Sequence, residues 1–384
     1  MKAIPPLEIT NNRLTSSTVA EPGVGEVAWT SGATFAAQER ALLGAPASPV
    51  TLTIAAPCVV TWASNGLPNG TPVHLTTTGA LPTGLTANVV YYVVNRAAGT
   101  FQLAETPDGL PLTTTGSQSG THTATAFVHR TYESQADGNT GNPPAIDDGT
   151  KWLDIGPTLR WAMFDLDRNT ATTGASPLTV VLTPGVRTDA IGLLGLVADD
   201  VEITITSGAS TVYTETISLN RREVLDWYDY FFAPFLTAPS LVRFELPPYT
   251  NAVITIEATR SSGLVSIGGL VLGTAVYMGQ AQHTAQSGAL NFSTIARDSY
   301  GNSVLPRRRT VPKVTAQIWS DKSLVNRLRD LRAATNAVPT LWSGLDDDTH
   351  DYFEAVLILG IYKQFEIGLD HPDTAITTLE LEEV

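Results

Sequence analysis

Short apolar runs of the β type recur along most of this chain and are separated by turn residues. In Val201-Glu-Ile-Thr-Ile205, apolar and polar residues alternate strictly, which directs Val201, Ile203 and Ile205 to one face of a strand. The following Ser207-Gly-Ala-Ser210 has the composition of a hairpin turn. Because runs and turns of this kind continue on both sides, the chain is predicted to be mainly β and multi-domain, with antiparallel β-sandwiches in its second half.

The second half divides into two predicted units, residues 157–280 and residues 281–384. The first is expected to be a sandwich of roughly six to eight antiparallel strands. The second is expected to be a further β-sandwich with one flanking helix over residues 321–334. Ser320 or Asp321 can cap this helix, and Leu324, Leu328 and Leu331 share one of its faces.

The first half is predicted to consist of smaller pieces. Residues 1–25 are polar and contain several prolines and glycines, which predicts an extended arm or linker. Residues 26–48 and 127–156 are expected to form one small discontinuous module, interrupted by a separate small β domain over residues 49–126. Pairing of that domain's first strand, at 50–54, with its last, at 121–127, would bring its two ends together.

Composition narrows the function classes. The formal net charge is −14 and only 16% of residues are charged, so the chain as a whole offers no attraction to nucleic acid or anionic lipid. The single cysteine, Cys58, lies among apolar residues and is expected to be buried. No apolar window reaches the roughly 18 residues of a membrane span, and the first residues lack a signal-peptide core, so synthesis in the cytoplasm is expected.

The inserted block carries the most specific series of motifs. It contains Gly66-Leu-Pro-Asn-Gly-Thr-Pro-Val73, Thr78-Gly-Ala-Leu-Pro-Thr-Gly-Leu85, Tyr91-Tyr-Val-Val-Asn95 and Thr100-Phe-Gln-Leu-Ala104. This series resembles a small β module that recurs in tail and other virion proteins of bacteriophages. That module usually begins His-Gly-Leu, whereas this chain has Asn65 at the first position, so no histidine role is carried over. His74 and His122 stand alone on threonine-rich strands and are expected at the surface.

The pieces on either side of the insert share a second resemblance. Trp29 precedes a glycine turn, Tyr132 begins a Tyr-x-Ser strand, Asn139 and Pro143 lie in an Asn/Gly/Pro loop, and Trp152 closes the unit. This order resembles the small chitin- and cellulose-binding modules of secreted glycosidases. The resemblance implies glycan binding by Trp29, Tyr132, Asn139 and Trp152, because flat rings stack on pyranoses and amides bond their hydroxyls. The alternative is that the aromatic rings form the core of a small unit.

Two further resemblances concern the second half. The runs Asp189-Ala-Ile-Gly-Leu-Leu-Gly-Leu196 and Val265-Ser-Ile-Gly-Gly-Leu-Val-Leu272 resemble strands of galactose-binding-like jelly rolls, which bind sugars in some proteins and act as spacers in others. Arg297-Asp-Ser-Tyr-Gly-Asn302, the predicted helix, Leu341-Trp342 and Gly360-Ile-Tyr-Lys363 follow one another in an order that resembles C-terminal regions of phage tail proteins. In those proteins, a sandwich with a flanking helix builds ring-forming subunits.

A dense aromatic segment, Asp226-Trp-Tyr-Asp-Tyr-Phe-Phe-Ala-Pro234, lies between predicted strands and is expected to be a loop. Three interpretations are open: a subunit contact anchored by the rings, a ligand loop that combines stacking with carboxylate acceptors, and an intramolecular plug. The candidate residues are Asp226, Trp227, Tyr228, Tyr230, Phe231 and Phe232.

Two charged clusters have ordinary explanations. Arg307-Arg-Arg309 could contact nucleic acid, but three residues in an acidic chain are expected to pair with a neighbouring subunit or to face solvent. Asp346-Asp-Asp348, with His350 and Asp351, lacks the spacing of a calcium loop and is expected to be a solvated turn.

The sequence contains no nucleophile elbow, His-Glu-x-x-His motif, phosphate-binding glycine loop or Cys/His metal spacing, so the chain is not expected to be an enzyme. The carboxylate pairs Asp226/Asp229 and Asp165/Asp167 leave a glycan-cleaving tail enzyme as one alternative. A capsid decoration or vertex protein is another.

The resemblances favour a structural component of a tailed bacteriophage virion, in the tail-tip or baseplate region. Such a protein would oligomerise through its C-terminal half and display its N-terminal modules to host-surface glycans. The expected partners are copies of itself, other tail proteins and host polysaccharide. No cofactor, metal, nucleic acid or membrane span is expected.

Overall fold

A computed structural model describes the chain except for residues 11–12, 28, 30–31, 43–47, 64, 66, 68, 107–108, 127–128, 143, 145–146, 222–225, 233–235, 283–284, 298–299, 347–349, 351 and 370–371, and the side chain of Val304. Several residues that the sequence analysis singles out lie outside the described residues: Gly66, Pro143, Ala233, Pro234, Asp347, Asp348 and Asp351. The chain forms two compact units. The larger unit comprises Met1–Val19 and Ala162–Val384, and the smaller unit comprises Ala20–Trp161.

The chain begins with two strands of the larger unit, β1 Lys2–Ile4 and β2 Leu14–Ser17. The strands of the smaller unit are β3 Thr34–Phe35, β4 Arg40–Leu42, β5 Ser48–Leu52, β6 Val59–Thr61, β7 Pro72–Thr77, β8 Val90–Ala97, β9 Thr100–Ala104, β10 His122–Ala126, β11 Arg130–Ser134, β12 Asn139–Thr140 and β13 Trp152–Pro157.

After residue 161 the chain completes the larger unit. Its strands are β14 Thr172–Gly174, β15 Leu178–Leu182, β16 Ala190–Leu194, β17 Asp200–Ser207, β18 Ser210–Ser218, β19 Asn220–Arg221, β20 Leu236–Thr237, β21 Ser240–Arg243, β22 Ala252–Thr259, β23 Val265–Ile267, β24 Gly269–Gly273, β25 Val276–Tyr277, β26 Gln280–Ala281, β27 Gln286–Asn291, β28 Ala296–Arg297, β29 Ser303–Val304, β30 Thr310–Asp321, β31 Thr340–Ser343, β32 Leu357–Gly368 and β33 Thr374–Glu383. The helices are α1 Trp227–Phe232 and α2 Val325–Ala334, with 3₁₀ turns at Ala162–Phe164, Lys322–Leu324 and Glu354–Val356. Strands hold 48% of the residues and helices 8%, which confirms the prediction of a mainly β, multi-sheet protein.

The smaller unit is built around a closed six-stranded barrel in the order β10-β5-β6-β9-β8-β7. His122 of β10 lies opposite Val50 of β5, as expected from the requirement that the ends of this block meet. The same residue lies opposite Thr77 of β7. Because β10 has a partner on each side, the predicted series of hairpins closes into a barrel and leaves no open sheet edge.

Asn65 forms two hydrogen bonds to the backbone in the segment that precedes β7. Its side chain is buried, donates a hydrogen bond to the carbonyl oxygen of Trp62 at 2.8 Å and accepts one from the backbone N–H of Leu67 at 2.9 Å. The amide therefore satisfies two backbone groups of a buried turn, which a short side chain with both a donor and an acceptor can do.

The remaining strands of the smaller unit form a three-stranded sheet, β13-β11-β4, and a two-stranded ladder, β12-β3. Phe35, Ala41, Tyr132 and Trp152 of these strands belong to the same apolar cluster as the interior of the barrel. The flanking module and the inserted barrel therefore share a core.

The larger unit contains an eight-stranded antiparallel sheet in the order β25-β1-β31-β32-β33-β30-β26, with β27 paired to β30. The first residues of the chain lie inside this sheet: Lys2 is opposite Ser343, Ile4 is opposite Leu341, and Ile4 is fully buried. Lys2–Ile4 and Leu14–Ser17 are therefore strands of the larger unit, which corrects the expectation of an extended arm. Polar composition does not reveal these strands, because both are short and their partner strands lie more than 150 residues away.

Further sheets of the larger unit have the orders β18-β17-β22-β15-β2 and β21-β16-β24. In β17, Val201, Ile203 and Ile205 are buried, as their alternation predicts. The β17–β18 hairpin turns at Gly208, whose φ of 60° lies in the left-handed region that glycine adopts without strain. The β16 sheet packs directly on the large sheet, since a Cβ on Gly192 would lie 2.1 Å from Cδ2 of Leu341.

The predicted helix over residues 321–334 is present. Asp321 accepts a hydrogen bond from the backbone N–H of Ser323 at 2.8 Å and caps a 3₁₀ turn that continues into α2. Leu328 and Leu331 are buried, and Leu324 is half-buried. The capping residue of the 3₁₀ turn and the apolar face of α2 are thus those expected from the sequence.

Candidate functional site

The aromatic segment forms the most distinctive surface of the larger unit. It follows β19 and precedes β20, which pair with each other through Asn220 opposite Thr237 and Arg221 opposite Leu236. Trp227–Phe232 form the short helix α1, which corrects the expectation of a loop. The carboxylate of Asp226 accepts a hydrogen bond from the backbone N–H of Asp229 at 2.9 Å, and this N-terminal cap explains why the segment is helical.

The five aromatic side chains of α1 face solvent. Trp227, Tyr228, Tyr230, Phe231 and Phe232 are between 52% and 79% exposed. They pack on one another, with ring centroids 4.9 Å apart for Tyr228 and Phe232 and 6.0 Å apart for Trp227 and Tyr230. These i, i+3 and i, i+4 contacts hold the rings together as one surface.

The exposure of α1 excludes one of the three interpretations of this segment. An intramolecular plug would bury its rings, and these rings are exposed. A contact surface for a macromolecule or a ligand remains. Clustered aromatic side chains supply large apolar area with few rotatable bonds, and for that reason they are common at the centres of protein interfaces.

The four glycan-binding candidates lie together in the smaller unit, but in its interior. Trp29, Tyr132, Asn139 and Trp152 are only 2–8% exposed and the three aromatic residues belong to the core cluster. The ring of Trp152 meets that of Phe35 edge to face at 5.1 Å. A ring enclosed in this way presents no face to a sugar, so the geometry favours the core interpretation.

The polar groups of Trp152 and Asn139 are also engaged within the protein. The indole N–H of Trp152 donates to the carbonyl oxygen of Asn142 at 2.9 Å. The amide of Asn139 donates to Ser134 and to the carbonyl oxygen of Lys151, both at 3.2 Å, and accepts from Asn142 at 2.7 Å. The side chain of Asn139 is therefore bonded within the protein, whereas the resemblance implies that it bonds a glycan.

A partly buried carboxylate cluster in the smaller unit has no counterpart among the candidate residues of the sequence analysis. Nδ1 of His129 lies 2.8 and 2.9 Å from the two carboxylate oxygens of Glu21, and Thr158 and Trp161 donate to the same carboxylate at 2.6 and 3.3 Å. The rings of His129 and Trp161 stack at 4.2 Å. We call these four residues the Glu21 clasp.

The Glu21 clasp ties the first residues of the smaller unit to its last. Nearby, the carboxylate of Glu26 accepts hydrogen bonds from the backbone N–H groups of Gly23 and Leu159, each at 2.6 Å. Burial raises the pKa of Glu21, but the hydrogen bonds from His129, Thr158 and Trp161 outweigh it, and the pKa lies below its usual value. No local motif marks this cluster, because Glu21 and Thr158 are 137 residues apart.

The isolated histidines and the cysteine lie within the barrel domain of the smaller unit. His122 is buried rather than at the surface, with Nδ1 2.9 Å from the hydroxyl of Thr77, because it lies where β10 pairs with β7. Burial lowers the pKa of His74. Cys58 is fully buried, as predicted, and its thiol donates to the carbonyl oxygen of Thr53 at 3.3 Å. Within the described ranges, no group of three or more His, Cys, Asp or Glu side chains is placed to hold a metal ion.

Carboxylates of the two pairs on which the enzyme alternative rests form hydrogen bonds with nearby residues of the chain. Asp226 caps α1. Asp165 accepts from the hydroxyl of Thr170 at 2.6 Å, and Asp167 accepts from the backbone N–H of Asn169 at 2.8 Å. Each bond orders a turn of the backbone.

Among the residues with an assigned position, no helix has the length and apolar character required to cross a bilayer. Comparison with protein-family models finds no match, and comparison with curated proteins finds none either.

Proposed function

We propose that this chain is a structural component of a tailed bacteriophage virion, located in the tail-tip or baseplate region. The observation that carries the proposal is the exposed aromatic surface of α1. Exposing apolar surface of this kind to water is unfavourable. In proteins, large exposed apolar patches therefore mark sites at which another molecule binds. A subunit of a larger assembly is the kind of protein in which such a surface is expected.

The motif series in residues 66–104 supports the choice of assembly. Its motifs lie on β7, β8 and β9 of the closed barrel and in the segment between β7 and β8. The same series resembles a module of phage virion proteins. The proposal assigns assembly to the larger unit, which carries α1, and host contact to the smaller unit. Contact with host polysaccharide would use surface residues of the smaller unit, because Trp29, Tyr132, Asn139 and Trp152 are enclosed.

Immunogold electron microscopy of intact particles tests the proposal. The antibody should recognise residues 48–126, the barrel, and the particles should come from cells that express the native chain. Label at the distal end of the tail is expected. Label over the capsid would instead favour a decoration or vertex protein, and a chain found only outside particles would overturn the virion proposal.

A matched pair of variants tests the role of α1 in the same setting. The variant with Trp227→Ser and Phe231→Ser should fold normally but be depleted at least about tenfold from purified particles, since interface anchors contribute more than 1 kcal/mol each. The control, Val89→Ser with Leu110→Ser, removes exposed apolar side chains from the smaller unit. It should enter particles at the wild-type level.

A further inference from the structure

A β-hairpin of the larger unit between residues 286 and 310 forms a second unusual surface, which we name the arginine arm. Its strand β27 pairs with the first part of β30, from Gln286 opposite Thr315 to Asn291 opposite Thr310. Further along, β28 pairs with β29. The neighbouring strand β33 reaches β30 only from Lys313 onwards, so the arginine arm runs past the end of that pairing.

The arginine arm combines apolar and cationic side chains that face solvent. Every described side chain between Gln286 and Thr310 is exposed. The large apolar ones, exposed by 38–89%, are Leu290, Phe292, Ile295, Tyr300 and Leu305. The arm contains four arginines and one aspartate, so its net charge is 4 − 1 = +3 in a chain with a net charge of −14. A surface that combines exposed apolar side chains with positive charge indicates a contact region.

The surface of α1 has the complementary chemistry. Residues 226–232 include five aromatic side chains and two aspartates, with no lysine or arginine. Guanidinium groups pack on the faces of Trp and Tyr rings and pair with carboxylates, and apolar side chains fill the spaces between rings. In one copy of the chain both surfaces are exposed, so neither covers the other.

We propose that the arginine arm of one copy packs on α1 of a second copy. This inference rests on the proposed function, in which α1 is covered in an assembly, and it names the molecule that covers it. The two copies contribute different surfaces, so the contact is heterologous and its repetition gives a closed ring or an open filament.

Charge favours a second copy over nucleic acid as the partner of the arm. Without the arm, the chain carries −14 − 3 = −17, which repels a polyanion and attracts a cationic hairpin.

Part of the arginine charge of the arm is already paired within the chain. Arg309 donates to Glu383 at 3.5 Å and to the carbonyl oxygen of Val384 at 2.8 Å. Arg307 and Arg308 are the arginines to change, because both are exposed and neither carries the Arg309 contacts.

Sedimentation velocity of the purified full chain at increasing concentration tests the proposal with two variants. The arm variant carries Arg307→Ser and Arg308→Ser, and the helix variant carries Trp227→Ser and Phe231→Ser. Wild-type protein should self-associate, and each variant alone should dissociate at least about tenfold more readily. A control with Arg96→Ser and Leu110→Ser, both exposed in the smaller unit, should associate like the wild type. Unchanged circular dichroism should accompany every variant.

Mixing the two variants provides the decisive measurement. The arm variant keeps an intact α1 and the helix variant keeps an intact arm, so a one-to-one mixture should form two-copy complexes that grow no further. If α1 instead paired with α1, the arm variant would associate alone and the mixture would gain nothing. That result would overturn the proposal.

Two other results would also overturn the self-contact. One is wild-type protein that stays monomeric up to about 1 mM, where a contact with a millimolar Kd is substantially formed. The other is arm-dependent retention of a labelled DNA duplex without self-association. Neither result bears on the virion proposal, which fails only if the chain is missing from particles. If the helix variant is depleted from particles while the wild type remains monomeric, a different virion protein covers α1.

Discussion

The carboxylate of Glu21 and the imidazole of His129 form a close hydrogen-bonded pair, with Nδ1 2.8 Å from Oε1 and 2.9 Å from Oε2. The two residues are 108 positions apart, and Thr158 and Trp161 donate to the same carboxylate. One partly buried acid therefore connects three separate parts of the smaller unit. Its loss would leave several buried donors without an acceptor, which costs more free energy than a single surface bond.

Glu21→Gln is expected to lower the free energy of unfolding of the smaller unit by about 1–3 kcal/mol. The amide offers one oxygen acceptor where the carboxylate offered two, and its NH2 group faces donors. Urea unfolding followed by tryptophan fluorescence measures the change. The matched control, Glu105→Gln, alters an exposed acid of the same unit and should stay within about 0.5 kcal/mol of the wild type. Equal effects of the two substitutions would contradict a structural role for the clasp.

Acid should weaken the clasp because the pKa of Glu21 is depressed in the folded protein. Burial raises the pKa of Glu21, but the hydrogen bonds from His129, Thr158 and Trp161 lower it by more, and the pKa lies below the ordinary value of 4.5. A carboxylate of this kind stabilises the folded state above pH 4.5, and that contribution is lost as pH falls through the folded pKa. The difference in unfolding free energy between wild type and Glu21→Gln should therefore be larger at about pH 6 than at about pH 3. A difference of equal size at both values would refute this assignment.

Trp152→Ala separates the core and glycan interpretations. The ring is 2% exposed and packs on Phe35, so its removal should cost about 3–5 kcal/mol of stability. Adsorption to host cells, expressed per folded molecule, should not change. The matched tryptophan control is Trp227→Ala, which removes an exposed ring and should change stability by less than about 0.5 kcal/mol. Reduced adsorption by a stably folded Trp152→Ala protein would restore the glycan interpretation.

Gly273→Ala tests the packing of the N-terminal strand. A Cβ at this position would lie 2.2 Å from the carbonyl oxygen of Pro5 and 3.0 Å from Cγ2 of Ile4. Because a backbone atom cannot be displaced without moving β1, we expect a loss of about 1–3 kcal/mol in thermal or urea unfolding. Gly288→Ala is the control, since nothing lies within 4 Å of a Cβ there. If both proteins unfold alike, residues 1–19 do not stabilise the larger unit.

Local patterns in the chain were sufficient to predict many elements. Val201, Ile203 and Ile205 alternate with polar residues and are buried on one face. Asp321 caps the helical segment that ends at Ala334. These predictions hold because strand alternation and helix capping depend on neighbours a few residues away.

Solvent exposure depends on contacts between residues that are distant in sequence. The rings of Trp152 and Trp227 both lie in aromatic segments, yet the first is enclosed by the fold and the second faces solvent. No local pattern distinguishes them, since burial depends on which other segments pack on each ring.

The N-terminal strand β1 and the clasp likewise depend on pairings between residues that are distant in sequence. Lys2 lies opposite Ser343, and Glu21 reaches Thr158 across 137 positions. Composition and periodicity carry no information about pairings of that length. Strand type and helix position thus follow from local sequence, whereas the buried acid, the enclosed tryptophan and the exposed α1 surface follow from long-range packing, because only the packed chain fixes which groups lose water.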